Sequence, residues 1–274
     1  MVDMHIHTNN SDGQYSTIEI IDMLIKKRIN LFSITDHDNI NSYKELENII
    51  LPPNMRYIKG IEFSSINNRY NCHILGYDID YKNINLVNEC EKIKQRRLKK
   101  IRIIIKRLEE KHDIYLTKEE KNRIFNKKGT TGRFDLCKIL IEKGYGKKQE
   151  IYDKYLTNIP GIKTHRSKIE TITDIIKQAN GIPVLAHPKE IEETYKINIE
   201  DIIEEFIEKG IDGIEAYNSI HTLNDVKRYL LLAKKYNLFI TGGSDFHGIS
   251  HPERQIGTTT TEKIKIYSSN LRLH

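Results

Sequence analysis

The sequence predicts an α/β fold on a parallel sheet, most simply a barrel, interrupted by a helical insertion. Three observations predict it. Short apolar runs alternate with helical patterns up to residue 80, residues 81–159 carry almost no strand signal, and the alternation resumes over 160–265. Repeated βα units are the pattern of a parallel sheet with helices packed outside it. The barrel is therefore expected to be discontinuous, 1–80 and 160–265, with 81–159 inserted and covering the active-site rim.

The elements follow in order. Residues 1–6 form a short apolar strand. Ser16 is placed to cap a helix through Ile18, Ile21, Leu24 and Ile25, which recur at helical spacing. Residues 31–35 are a strand running into Thr35-Asp36-His37-Asp38. A helix over 42–50 stops at Pro52-Pro53. Strands follow at 57–64 and 71–77. Within the insertion, residues 85–111 read as one long basic helix with Leu98, Ile101, Ile105 and Leu108 along its apolar stripe. Shorter helices are expected at 119–125, 133–143 and 149–156. Beyond it come a helix at 171–178, a strand at 182–186, a helix at 199–209 stopped by Gly210, a strand at 213–217, a helix at 224–236 and a strand at 238–242. Residues 256–261 read as a last strand and 268–274 as a tail.

Composition narrows the function. The 274 residues suffice for a large core, and 44 Lys and Arg against 38 Asp and Glu give a formal charge of only +6. That bias is too small to diagnose a nucleic-acid binder, though it suits anionic ligands. No apolar run reaches 18 residues, so no spanning helix is expected. The opening MVDMHIHTNN lacks the basic and apolar regions of a secretion signal. Cys72, Cys90 and Cys137 lie far apart without CxxC spacing, which argues against a disulfide scaffold or a thiolate zinc site and fits a reducing cytoplasm.

The histidines carry the chemistry. His5 and His7 form an HxH pair, and residues i and i+2 of a strand project from one face. Asp12 follows in the adjoining loop, His37 closes the second strand, Glu62 ends the third and His73 lies on the fourth. His187 closes the strand after the insertion, and Asp245 and His247 form a second i, i+2 pair after the last core strand. In a parallel barrel the carboxyl ends of the strands converge on one rim. Nine nitrogen and oxygen donors exceed the needs of one zinc ion and suit two or three divalent ions, with Glu62 bridging. Imidazole and carboxylate without thiolate suit Mn, Fe or Zn and do not choose among them. Any one of these residues has a plain structural reading. Asp12-Gly13 is a turn dipeptide, and Asp38 reads as a cap for the helix behind it. The coincidence across six strand ends outweighs those readings. His112, His251 and His274 stand outside the pattern and read as structural or solvated.

The motifs HIHTNNSDG (5–13), ITDHD (34–38), GIEFS (60–64), CHILGY (72–77), VLAHP (184–188), GIEAY (213–217) and GGSDFHG (242–248) together resemble the PHP (polymerase and histidinol phosphatase) superfamily of metal-dependent phosphoesterases. They stand in the family's order and span most of the chain. The resemblance implies a distorted (β/α)7 barrel with a trinuclear metal centre at its rim. It implies that His5, His7, Glu62 and Asp245 hold one metal, that Asp12, His37 and His247 hold a second, and that Glu62, His73 and His187 hold a third. Glu62, Asp245 and His247 are then the catalytic residues. The sub-group with a helical insertion contains nucleoside 3′,5′-bisphosphate phosphatases and 5′-to-3′ exoribonucleases. Thr131-Gly132-Arg133 matches its Gly-Arg motif, so Arg133 is expected to grip phosphate, with Arg166 and His221 as further phosphate contacts. The sub-group continues that motif with Pro-His, where this chain has Phe134-Asp135.

The expected activity is phosphomonoester hydrolysis by a metal-activated water, on a nucleotide or the 5′ end of a short RNA. The expected setting is cytoplasmic, with no membrane and no obligate protein partner. Histidinol-phosphate phosphatase is the alternative enzyme, and a non-catalytic metal-binding module the alternative of another class. The long helix presents Lys92, Lys94, Arg96, Arg97, Lys99, Lys100, Arg102, Lys106 and Arg107. Its interspersed glutamates and lack of aromatic residues favour a solvated charged face over an RNA track.

Overall fold

The computed structural model describes residues 1–157, 159 and 166–272. The expected boundary of the insertion at residue 160, and His274, lie outside the described residues. The chain divides into two compact units, one of Met1–Asn88 and Arg166–His274, the other of Glu89–His165.

In the first unit, β1 (Val2–Ile6), β2 (Leu31–Ile34) and β3 (Arg56–Tyr57) pair in parallel. The helices α1 (Thr17–Lys26) and α2 (Asn41–Leu46) connect them. The cap of α1 forms as its sequence requires. Ser16 Oγ accepts from the Glu19 backbone N–H, and the Glu19 carboxylate accepts from Ser16 N–H in return. The second sheet runs β6-β4-β5-β7-β8-β9. Its strands are β4 (Gly60–Ile66), β5 (Asn71–Tyr77), β6 (Ser167–Lys168), β7 (Ile182–Leu185), β8 (Gly213–Asn218) and β9 (Phe239–Gly243). The strands β1 and β8 are buried along their whole length, as strands covered on both faces must be. Met4, Leu75, Tyr77, Val184 and Ala186 pack into one buried cluster among these strands.

One expectation fails here, and another is met only in its coarser form, a mixed α/β fold of sheets and helices. The sheet is not wholly parallel, because β5 runs antiparallel to both β4 and β7. Only four residues separate β4 from β5, too few for the crossover that parallel neighbours need, so they make a hairpin. No closed barrel forms among the described residues either. The two sheets meet through the single bridges Ile6↔Phe246 and His37↔Glu62. The chain turns into left-handed backbone at Asp38 and Asp245, both at φ 52°, beside those bridges, and extended ladders cannot run through such residues.

Smaller differences are local. Pro188 opens a helix α8 (Pro188–Tyr195) that the sequence reading omits; proline is preorganised for a first helical position. The helix expected over 199–209 is a 3₁₀ turn (Ile199–Asp201) followed by α9 (Ile203–Glu208). In place of a strand at 256–261 there is one bridge, Thr259↔Ile264. The helices α7 (Ile169–Gln178) and α10 (Leu223–Tyr236) lie where their periodicity places them. Asp38 does not cap α2, whose N-cap is Ile40 without a side-chain bond; it accepts from Ser64 N–H at 3.0 Å and so ties the second loop to β4.

In the second unit, the helix α3 (Ile84–His112) continues with Ile101, Ile104, Ile105 and Leu108 buried against α4 (Lys118–Phe125) and α5 (Arg133–Glu142) residues such as Ile124, Leu136 and Leu140. Its chain then passes through α6 (Lys148–Ile151) into a π-helical turn, Tyr152–Leu156. On α3 the exposed Lys106 and Glu110 pair at 3.5 Å, as on a solvated charged face, while Arg96 pairs at 2.8 Å with the buried Glu89. Cys72, Cys90 and Cys137 form no disulfide. Among the described residues no helix is long and apolar enough to cross a membrane.

Candidate metal centre

All nine expected donors gather in the first unit. His5 and His7 leave β1 on the same face, with their Nε2 atoms 3.1 Å apart. Glu62, wholly buried in β4, places Oε2 3.4 Å from His5 Nε2, 3.2 Å from His7 Nε2 and 3.0 Å from His37 Nδ1. Its Oε1 lies 3.1 Å from His73 Nδ1 and 3.0 Å from His187 Nε2. Asp245 Oδ1 is 3.4 Å from His5 Nε2 and 3.2 Å from His7 Nε2. Asp12 Oδ1 reaches His247 Nε2 at 3.3 Å, and its Oδ2 reaches His37 Nε2 at 3.8 Å. His73 reaches the common rim because β5 is antiparallel. It lies near the start of β5, opposite Ser64 at the end of β4, and so not at the carboxyl end of its own strand.

Left-handed backbone aims several of these groups. His187 stands just past β7 with φ 23° and ψ 65°, and Asp245 just past β9 with φ 52°. Such conformations cost about 1–3 kcal/mol each and cluster at functional sites. Gly243 allows β9 to lie against β1, since a Cβ there would stand 2.2 Å from His5 N and 2.5 Å from His5 Cβ. Asp36 fixes the loop that leads to Asp12. It accepts from Thr8 N–H at 2.7 Å, Thr8 Oγ1 at 2.7 Å and Ser11 Oγ at 2.6 Å.

Burial and charge oppose each other here. Burial would push the Glu62 carboxyl up, but the His37, His5 and His73 rings outweigh it and hold it well below the usual range. Burial would lower the His5 ring's pKa, yet Glu215, Asp245 and Glu62 hold it well above its ordinary value. Asp245 is held well down against its burial by His5, Arg254 and His247. Carboxylates that stay ionised in the interior need cations beside them. Glu62 Oε2 and Asp245 Oδ1 are also buried oxygens with no hydrogen-bond partner among the described residues. Imidazole nitrogens and carboxylate oxygens converging at such distances are a donor set for metal ions.

Four groups have ligand atoms all within 4.8 Å of one another: His5, His7, Glu62 and Asp245; His7, Asp12, His37 and His247; His37, Glu62 and His73; and His73, His187 and Glu190. Glu190, absent from the sequence reading, lies on α8 with Oε2 3.0 Å from His187 Nδ1. Glu215 was also missed. Its Oε1 accepts from His5 Nδ1 at 2.9 Å, and its Oε2 accepts from His187 N–H at 2.8 Å and Asn218 Nδ2 at 2.9 Å. A glutamate inside the apolar run GIEAY is a buried charge in a strand, and that was the available signal. His251, expected to be merely structural, has its ring 5.5 Å from that of His247.

The expected phosphate contacts fare differently. Arg133 belongs to the second unit, where it donates to Leu156 O at 3.2 Å and stacks over Tyr152. Arg166 precedes β6, which pairs with the end of β4. His221 is wholly buried, donates Nδ1–H to Ala216 O at 2.9 Å and packs edge-on against Tyr229. Burial pulls its pKa down to about 4. A buried neutral ring offers no cation to a phosphate in this conformation.

The fold and site together define a metal-dependent hydrolase. The PHP domain family matches residues 3–181, and the chain belongs to that family. It is 28% identical over 261 residues to the 3′,5′-nucleoside bisphosphate phosphatase of Chromobacterium violaceum, covering 94% of this chain and 91% of that protein. It is 27% identical over 252 residues to the 5′-3′ exoribonuclease Rnm of Salmonella typhimurium, covering 89% and 84%. Among solved structures, an amidohydrolase from Chromobacterium violaceum with bound sulfate and no metal superposes with a TM-score of 0.79 at 27% identity, over 94% of this chain and 90% of that one.

Proposed function

We propose that this enzyme hydrolyses a phosphomonoester of a nucleotide, a nucleoside 3′,5′-bisphosphate or the 5′ end of a short RNA, with two or three divalent ions of Mn, Fe or Zn. The observation that carries the reading is the convergence of nine imidazole and carboxylate donors around Glu62, whose two oxygens face five rings. The names of the relatives supply the substrate class.

In this reading His5, His7, Glu62 and Asp245 hold one ion, and Asp12, His37 and His247 a second. Glu62, His73 and His187 would hold a third, and Glu190 lies within reach of His187 at 3.0 Å. When bound, such ions lower the pKa of water and polarise the phosphoryl oxygens. The chain's own part is to fix their places. Glu62 bridges, Glu215 holds the His5 ring with Nε2 inward, and the left-handed turns at His187 and Asp245 keep those ligands from swinging out. Arg133 and Arg166 are the proposed phosphate grips, each able to offer a planar, permanently charged fork. The bridges at Ile6↔Phe246 and His37↔Glu62 support reading the two sheets as a distorted barrel with residues 81–159 inserted.

The test is a substrate panel on Mn-loaded protein: a nucleoside 3′,5′-bisphosphate, a 5′-phosphorylated trinucleotide and histidinol phosphate, each with and without EDTA. Turnover of either nucleotide substrate, abolished by EDTA and restored by Mn, is the expected result. A tenfold preference for histidinol phosphate, or turnover that survives removal of all metal, would overturn it.

A further inference from the structure

Arg254 lies in the stretch beyond β9, and the sequence reading gave it no role. This stretch rests on the site: Ile249 N–H donates to Gln14 Oε1 at 2.8 Å, and the His251 ring faces that of His247. The Arg254 side chain is only 16% exposed. Its Nη1 donates to Asp245 Oδ2, while the other oxygen of that carboxylate, Oδ1, faces His5 and His7. One carboxylate therefore separates the guanidinium from the candidate metal position. The Arg254 Nε–H is buried and has no hydrogen-bond partner among the described residues, and Nε stands 3.8 Å from Glu253 Oε1.

The charge balance tells what this group is for. A guanidinium beside a cluster of divalent cations is repelled unless an anion lies between them. Asp245 can neutralise Arg254 in the free protein, but a carboxylate shared with a metal ion does so less well. A tetrahedral oxyanion carrying two charges fits between cations and a guanidinium with an unused N–H, because the planar fork matches its oxygens.

We propose that Arg254 is a substrate-recognition residue that takes a non-bridging oxygen of the phosphate at the metal centre. The proposal rests on the phosphoesterase reading above. The competing role is a clamp that only positions Asp245 as a ligand.

Inorganic phosphate is the probe, bound to metal-loaded wild type, Arg254→Met and Arg254→Lys and followed by calorimetry, with metal content and thermal unfolding measured on the same samples. Arg254→Met should weaken phosphate binding about 10–100-fold, the equivalent of one charge-assisted hydrogen bond, with the metal content unchanged. Arg254→Lys should fall between, since it keeps the charge and loses the fork. On a substrate, KM should rise more than kcat falls. Phosphate affinity within twofold of wild type in Arg254→Met overturns the proposal, as does loss of affinity in step with loss of metal, or a wild type that binds no phosphate. If Arg254→Met does not fold, the lysine variant decides by the same criteria. Calorimetry needs no turnover. A wild type that binds phosphate through Arg254 yet hydrolyses no ester would refute the enzymatic reading and leave this one standing.

Discussion

Replacing Glu215 by Gln tests whether the site depends on the residues behind its ligands. Glu215 serves three donors with two oxygens: His5 Nδ1–H on Oε1, and His187 N–H and Asn218 Nδ2 on Oε2. The amide of Gln offers one accepting oxygen and one donating NH₂. If its oxygen keeps the two donors of Oε2, its NH₂ meets His5 Nδ1. That nitrogen must then become an acceptor, and the ring proton moves to Nε2, which faces His7, Glu62 and Asp245. A protonated Nε2 cannot ligate. Turning the amide over leaves His187 N–H and Asn218 facing a donor instead. The first arrangement costs the site its His5 ligand atom, and the second leaves two buried donors unsatisfied, at about 1–3 kcal/mol each. Mutating a carboxylate that orients a metal-ligating histidine typically weakens metal binding about 10–100-fold, or about 1.4–2.8 kcal/mol. Competition with a chromophoric chelator should show the drop in affinity for Mn or Zn, and thermal unfolding of the metal-free protein should show the drop in stability. A Glu215→Gln protein that binds its first ion within twofold of wild type and melts at the same temperature would refute the reasoning.

Three further outcomes are expected. Glu62→Gln, which places an NH₂ against rings now facing a carboxylate, should lose at least one bound ion per chain by elemental analysis and lower kcat/KM by more than about a hundredfold; unchanged metal content would remove Glu62 as the bridge. Gly243→Ala puts a Cβ 2.2 Å from His5 N, backbone that cannot yield cheaply. It should cost about 1–3 kcal/mol in urea unfolding, and an unshifted midpoint would mean that β1 and β9 part easily. The His221 pKa of about 4 lies below the value near 6.5 of an unfolded chain, so the unfolded state takes up its proton first on acidification. The stability linked to this ring is complete above pH 6.5 and is lost as pH falls towards 4, up to about 3 kcal/mol in all. In metal-free protein the advantage of wild type over His221→Phe should shrink across that window, and a constant difference would show that the buried ring does not resist protonation.

What could be read in advance depended on how local each signal was. His5, His7, Asp245 and His247 announce themselves through i, i+2 spacing next to strands, and the remaining donors through their places at or near strand ends. Glu190 and Arg254 carry no such signal, because α8 and the stretch after β9 bring them to the site by tertiary packing alone. The antiparallel course of β5 was in principle legible, since a short loop excludes a crossover, and Pro188 was a helix-start signal passed over. The sharp turns at His187 and Asp245 could not be read at all, because neither residue type demands left-handed backbone. His221, a plausible leaving-group contact beyond the GIEAY strand or a helix-cap residue by sequence, turns its ring inward to Ala216 and Tyr229, which no local pattern could show.

The pairing of Ile6 with Phe246 joins strands separated by most of the sequence between them, including the whole second unit. Loop closure over such a span is slow and comes late, after the near-neighbour contacts of the helices and of the β4–β5 hairpin have formed. A ribosome-bound chain would therefore lack the full ligand set until its last strand had emerged. Ions captured at that moment would rivet these distant segments together, so that saturation with metal and resistance to unfolding rise as one property.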